Sequence, residues 1–165
     1  MKTGYPTLDA ARADVPVAIR YSREANGTWT AYEPVDTPPG PTLAQRQVAR
    51  WEQIKAHRDR LSDEGGYKVV VSGADKWLHS DNKSKIQQQA LVMLGASIPA
   101  GLQWKTMDGT FVTMTQTLAG QVFAAAVAQE SAIFAAAEVH RAAMLQAANP
   151  DAYDFSGGWP AVYGG

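Results

Sequence analysis

The chain of 165 residues has a near-average apolar fraction of 45%, a low charged fraction of 19% and a net charge of −1, which suits one globular domain or a domain with an arm. Its lysines and arginines form no basic run, so we expect no nucleic-acid partner. The absence of cysteine excludes disulfides, thiolate metal sites and cysteine nucleophiles.

The usual signals for membranes and export are also missing. No run reaches roughly 18 uninterrupted apolar residues, and the start MKTGYPTLDAARADV lacks the apolar core of a signal peptide. We therefore expect no membrane partner and synthesis in the cytosol, although a cysteine-free virion component has the same composition.

Residues 1–41 differ from the rest and are predicted to form an N-terminal arm. Val15, Val17 and Ile19 alternate at period two, and Asn26-Gly27 separates two strand-like runs, so a hairpin is expected over 15–33. The proline-rich stretch 34–41 then forms an extended connector, because proline cannot donate to a strand ladder. The predicted boundary places the main domain at 42–165.

The main domain is predicted to begin with a helix over 43–63. Thr42 with Gln45 forms a capping box, and Gly65-Gly66 ends the helix. Its apolar stripe either packs on a neighbouring element or docks a partner, and consists of Leu43, Val48, Trp51, Ile54 and Leu61.

A hairpin and a helix follow. The run YKVVVSGADKWLHS turns at 72–75 and carries Val69 and Val71 on one strand and Trp77 on the other. Ser80 or Asp81 caps the helix, in which the glutamines 87–89 are expected on a solvated face. Its apolar positions are Ile86, Ala90, Leu91, Leu94 and Ile98, and Pro99 and Gly101 end it.

A second hairpin, LQWKTMDGTFVTMT, is predicted to turn through a two-residue primed turn at Asp108-Gly109. A long alanine-rich helix then runs from Thr115 to Ala148. It has a seam of mostly small residues (Leu118, Val122, Ala125, Ala132, Ala136) and a bulkier face (Phe123, Val127, Phe134, Met144). Either a packed oligomer covers both faces, or the helix lies across its own hairpins.

The tail after Asn149-Pro150, DAYDFSGGWPAVYGG, is aromatic and glycine-rich without periodicity. Leaving its aromatic rings in water is costly, at roughly 25 cal/mol per Å² of apolar surface. We therefore expect the tail to fold back onto the body or onto a partner chain.

No arrangement of residues predicts catalysis, a metal or a cofactor. The three histidines, His57, His79 and His140, lack metal-ligand spacing. His79-Ser80-Asp81 contains the residue types of a hydrolase triad, but consecutive residues cannot align a nucleophile with its base, so a helix-capping turn is expected instead. Neither a carboxylate pair with a glycosidase context nor a phosphate-binding glycine loop is present. We expect a protein that is not an enzyme.

Large aromatic residues are the candidates for contact with partners: Trp51, Trp77, Trp104, Phe123, Phe134 and Trp159. Trp77 and Trp104 lie one on each hairpin of the main domain. They either pack between strands and helices, or form an outward platform for a partner's side chains, with a sugar as the lesser alternative.

Four segments of residues 45–163 occur in a characteristic order: VSGADKWLHSDNKSKIQQQALV, GLQWKTMDGTFVTMTQTLAGQV, IFAAAEVHRAAM and YDFSGGWP. Together they resemble a domain of unknown function found in bacteriophage and prophage tail proteins, often beside tail-fibre genes. The resemblance implies a tail-associated protein and carries over no catalytic residues.

Together these patterns predict an α+β fold, in which short antiparallel hairpins pack on two or three helices behind an N-terminal hairpin arm. The expected function is a non-enzymatic structural component of a phage or phage-derived tail, acting as a homo-oligomer or bound to a tail-fibre or baseplate protein in the virion. The alternative is a cytoplasmic chaperone for tail-fibre assembly.

Overall fold

A computed structural model describes residues 1–18, 20–33 and 39–165. The chain divides into two compact units, Met1–Gly40 and Pro41–Gly165. The arm expected from the sequence covers residues 1–41. The predicted connector lies mostly in 34–38, outside the described residues.

The described residues of the N-terminal unit form Lys2–Tyr5 (β1), Leu8–Asp14 (α1), Arg20–Arg23 (β2) and Trp29–Tyr32 (β3). The three strands pair antiparallel in the order β1-β3-β2.

The predicted hairpin is present, but its first strand begins later than expected. Val15 is buried at the end of α1, Val17 lies in a turn and is 71% exposed, and Ile19 lies outside the described residues. The period-two pattern was therefore not a strand at Val15 and Val17. Strand β1 and helix α1 went unpredicted, although Thr7 caps α1 by accepting a hydrogen bond from the Ala10 amide.

The second unit contains two hairpins and three helices. Its elements are Leu43–Glu64 (α2), Tyr67–Val71 (β4), Ala74–Leu78 (β5), Asn82–Leu94 (α3), Gln103–Lys105 (β6), Phe111–Thr113 (β7) and Gln116–Gln146 (α4). The predicted capping box of Thr42 and Gln45 and the predicted cap at Asp81 are both confirmed. The α+β prediction is confirmed as well.

The two hairpins of this unit turn differently. Ser72 and Gly73, both at positive φ, form the two-residue turn between β4 and β5. This turn is shorter than the predicted 72–75, because Ala74 and Asp75 pair with β4. The predicted two-residue turn at Asp108-Gly109 is wrong, because the Thr106 amide donates to the Thr110 carbonyl and leaves a loop of three residues, 107–109. Only Gly109 has a positive φ in this loop.

The three-residue loop has a counterpart in the N-terminal unit. There the Glu24 amide donates to the Thr28 carbonyl, and Asn26 Oδ1 accepts from the Thr28 amide at 3.0 Å and from its hydroxyl at 2.7 Å. Asp108 Oδ1 accepts the same two bonds from Thr110 at the same distances. Both loops read Asx-Gly-Thr, so the threonine after the glycine is the signal that distinguishes them from two-residue turns.

Two apolar clusters hold the second unit together. One joins β4, β5, β7, α3 and the first half of α4, with Tyr67, Leu78 and Val122 at its centre. The other joins α2, the second half of α4 and the tail through Ile54, Ala137 and Met144. The tail therefore folds back onto the body, as expected from its aromatic content.

The inward side of α3 includes the predicted Leu91, which is buried, but differs from the prediction at other positions. Gln88 is buried and its Nε2 donates to the His79 carbonyl at 3.1 Å, so the expectation of a solvated position was wrong for this residue. Ile86 and Leu94, expected among the inward apolar positions, are instead 59% and 48% exposed. Gln88 faces inward because the end of β5 presents a backbone carbonyl that needs a donor.

Candidate interaction surface

One polar cluster fixes the relative positions of α2, α3 and α4. The Ser62 hydroxyl on α2 lies 2.8 Å from each carboxylate oxygen of Glu130 on α4. Lys85 on α3 donates from Nζ to Glu130 at 3.3 Å and to the Ser62 carbonyl at 3.2 Å. Ser62 is buried and the two charges are partly covered, so the cluster places Glu130 on the side of α4 that faces the protein.

The outward side of α4 carries a line of exposed residues at alternating spacings of four and three. We call this line the open face, and it consists of Gly120, Ala124, Val127, Ser131, Phe134, Glu138, Arg141 and Leu145. Val127, Phe134 and Leu145 are 52%, 44% and 44% exposed. An alternating four-three spacing of this kind is the pattern by which one helix contacts another.

A groove of about 290 Å³ lies between α3 and α4, beside the open face. Its apolar side is formed by Phe123, Ala126 and Val127 of α4, and its polar rim includes Lys85 and Gln89 of α3. Exposed apolar residues on α3, with Met93 at 88%, add to the apolar surface of this unit. Large apolar surface of this kind is characteristic of contacts with other molecules.

The tail is held by contacts between rings. The Trp159 ring stacks on His140 of α4 and lies tilted against His57 of α2, with its centroid 4.9 Å from each. His140 Nδ1 lies 2.9 Å from the Tyr153 hydroxyl. Burial first, and then the nearby Arg60 and His140, lower the pKa of His57 below its ordinary value.

The structure does not bring the six candidate contact residues together. Phe123 and Phe134 lie on α4 and are exposed, and the Arg58 guanidinium lies 4.5 Å from the Phe134 ring centroid. Trp51 and Trp159 belong to the apolar cluster between α2, α4 and the tail. The sequence analysis named Val127 and Phe134 of the open face on the bulkier face of the helix, but did not single out its other residues.

The two hairpin tryptophans are half-buried. Trp104 packs against the core around Tyr67, and the Trp77 ring lies 6.3 Å from the ring of Tyr163. This favours the packed alternative over a fully outward platform, because both rings already contact the protein.

The residues considered for chemistry have structural partners. The Ser80 hydroxyl accepts a hydrogen bond from the Gly66 amide at 2.9 Å, and Asp81 accepts from the amide and hydroxyl of Ser84 at the start of α3. The hydrogen bonds from Ser84 lower the pKa of Asp81, and the bond from the Ser84 hydroxyl has the larger effect. Within residues 1–18, 20–33 and 39–165, no three acidic or histidine side chains are placed to hold a metal ion.

Helix α4 is long and apolar enough to cross a membrane by length and composition alone, and only 17% of its most apolar 18-residue stretch is buried. The sequence expectation considered only uninterrupted apolar runs and so passed over this helix. Its side toward the body nevertheless carries Glu130, bonded to Ser62, and the buried His140.

The profile of a family described as a domain of unknown function (DUF4376) matches residues 45–157. The chain belongs to this family. Curated proteins and solved structures give no match. The DUF4376 match begins near the start of α2 and ends in the tail, so it includes the open face and the groove, and the N-terminal unit lies outside it.

Proposed function

We propose that this DUF4376 domain is a non-enzymatic protein-interaction module, and that its open face binds other protein chains. The observation that supports the proposal is the combination of a firmly held inner side of α4 with an exposed outer side carrying Val127, Phe134 and Leu145. A monomer that worked alone would gain nothing from exposing these side chains.

The resemblance of residues 45–163 to tail-associated proteins indicates where such a module works. We propose that it is a structural component of a bacteriophage or phage-derived tail, in contact with a tail-fibre or baseplate protein. The family description itself names no function, so the tail assignment depends on this resemblance.

The test is to follow the tagged chain in cells that produce the tail particles. A structural component is expected in finished particles at fixed stoichiometry, and Phe134→Ser should reduce its incorporation. Lys68→Ser, at an exposed position of β4 outside the open face, is the matched control and should leave incorporation unchanged. A chain that binds fibre protein in extracts but is missing from particles would instead identify an assembly chaperone, and a chain that binds neither would contradict the proposal.

A further inference from the structure

We propose that the open face of α4 pairs with the open face of a second copy of this chain, with the two helices antiparallel. This inference rests on the proposed interaction role and names the partner. It follows from the order of large, small and charged residues along the face.

Antiparallel pairing over the whole face sets large side chains opposite small ones. Leu145 meets Gly120 of the other copy, and Phe134 meets Ser131. Alternating large and small residues across an interface allows two helices to interdigitate at protein density. The same face is therefore complementary to itself, as a two-fold symmetric contact requires.

The charges select the direction of pairing. In a parallel pair, Glu138 would lie beside Glu138 of the partner and Arg141 beside Arg141, and like charges in one layer repel. In the antiparallel pair, these two residues lie opposite Val127 and Ala124 instead. They also keep their own ion pair, with Arg141 Nη1 3.4 Å from Glu138 Oε2.

Gly120 supplies an independent argument. Glycine is a poor residue for a helix interior, and this one lies in the second turn of an alanine-rich helix. A Cβ atom built at position 120 would meet nothing within 4 Å in this chain, so no contact in the monomer requires glycine there. Position 120 therefore has room for a side chain from a second copy, which is Leu145 in this arrangement.

The absence of cysteine from the chain makes a direct test possible. Gly120→Cys and Leu145→Cys proteins are prepared separately, then mixed and treated with a short thiol crosslinker. Antiparallel pairing predicts a covalent dimer in the mixture and little in either protein alone. Crosslinking within each separate protein would indicate a parallel pair and overturn the proposal.

Sedimentation equilibrium gives a second readout. Gly120→Leu should weaken dimerisation by about tenfold or more, because the added side chain occupies the space of Leu145. It should not unfold the monomer, since the position is open and leucine favours helix. Ala132→Leu, on the same helix but off the open face, is the control and should leave the dimer unchanged.

Two other results would also overturn this pairing. A wild-type chain that stays at 17.8 kDa at every concentration and forms no crosslink has no self-contact. If that monomer still joins tail particles through the open face, the proposed function stands and only the second copy is wrong. Binding of the monomer to uncharged phosphatidylcholine vesicles through α4 would assign the face to a lipid surface.

Discussion

Ser62 on α2 and Glu130 on α4 are joined by a hydroxyl that lies 2.8 Å from both carboxylate oxygens, and Lys85 of α3 reaches the same pair. The contact connects three helices through one buried serine. It keeps Glu130 on the side of α4 that faces α2 and α3, and the two apolar clusters bury residues of the same helix.

Glu130→Ala should therefore destabilise the second unit. It removes the partner of a buried hydroxyl and of Lys85, and we expect a loss of about 1 kcal/mol in the free energy of unfolding, since the charged groups are partly exposed. Urea denaturation measures this change. The control is Glu52→Ala on α2, which breaks only the exposed pair with Lys55 and should change stability by less than about 0.5 kcal/mol. Equal effects of the two substitutions would contradict the structural role of Glu130.

Tyr67 and Tyr153 should respond in opposite directions to the same substitution. Among the described residues, the Tyr67 hydroxyl is buried without a hydrogen-bond partner, and burial raises its pKa. Tyr67→Phe should leave stability unchanged or raise it by up to about 1 kcal/mol, because an unsatisfied buried group is removed.

Tyr153→Phe should instead lower stability, because it removes the hydroxyl that lies 2.9 Å from His140 Nδ1. Thermal unfolding of both variants and of the wild type measures these two changes in stability. A clear loss of stability in Tyr67→Phe would show that the hydroxyl has a partner.

Docking of the tail should weaken as the pH falls from 7 to 5. The pKa of His57 is lowered in the folded protein, mainly by burial and then by Arg60 and His140, so the released or unfolded form takes up a proton first. Stability supplied by the neutral imidazole is complete above the ordinary pKa of about 6.5 and is lost as the pH drops through it. Limited proteolysis of the tail at each pH measures this release.

His57→Gln is the control for this effect and should flatten the dependence on pH over the same range. The carboxylates with lowered pKa values, Asp81, Asp108 and Asp154, contribute only near and below their ordinary value of 3.8, so they do not interfere between pH 7 and 5. Unchanged tail cleavage in the wild type across this range would contradict the claim that neutral His57, in contact with Trp159, stabilises the docked tail.

Asp108 should tolerate asparagine better than alanine. Its hydrogen bonds from Thr106 and then Thr110 hold the pKa of the carboxyl below its usual range, and Lys76 donates to Oδ2 at 2.9 Å. Asparagine keeps the Oδ1 acceptor, as Asn26 does in the loop of the N-terminal unit. The expected order of melting temperatures is wild type, then Asp108→Asn, then Asp108→Ala, and scanning calorimetry can measure it. An alanine variant as stable as the asparagine variant would show that the loop does not depend on this acceptor.

Local signals in the sequence predicted local structure well. Thr42, Asp81 and the glycines at 65 and 66 mark helix ends through bonds within a few residues, and such bonds can be read from the chain alone. Long-range partners could not be read in this way. The sequence predicts Gln88 on the surface, but its side chain donates to the His79 carbonyl. Nothing in the sequence indicates that Glu130 contacts Ser62, which lies 68 residues earlier.

The sequence alone also could not predict which residues of α4 are exposed. The alternating spacing of the open face is present in the sequence, but the alanine-rich helix offers several such lines. The prediction named a seam with Leu118 and Val122 and a bulkier face with Val127 and Phe134, and left open what covers each. The packing of α2, α3 and β4 buries Leu118 and Val122 and leaves Val127 and Phe134 exposed.

Photo-crosslinking from the middle of the open face shows whether this face binds another protein chain. A photoreactive amino acid replaces Ser131 in one variant and the exposed Asp75 of β5 in another, and both are irradiated in cells that produce the tail particles. We expect a discrete covalent adduct with a second protein chain from position 131 and none from position 75. No adduct from position 131, or equal adducts from both positions, would contradict the proposed binding by this face.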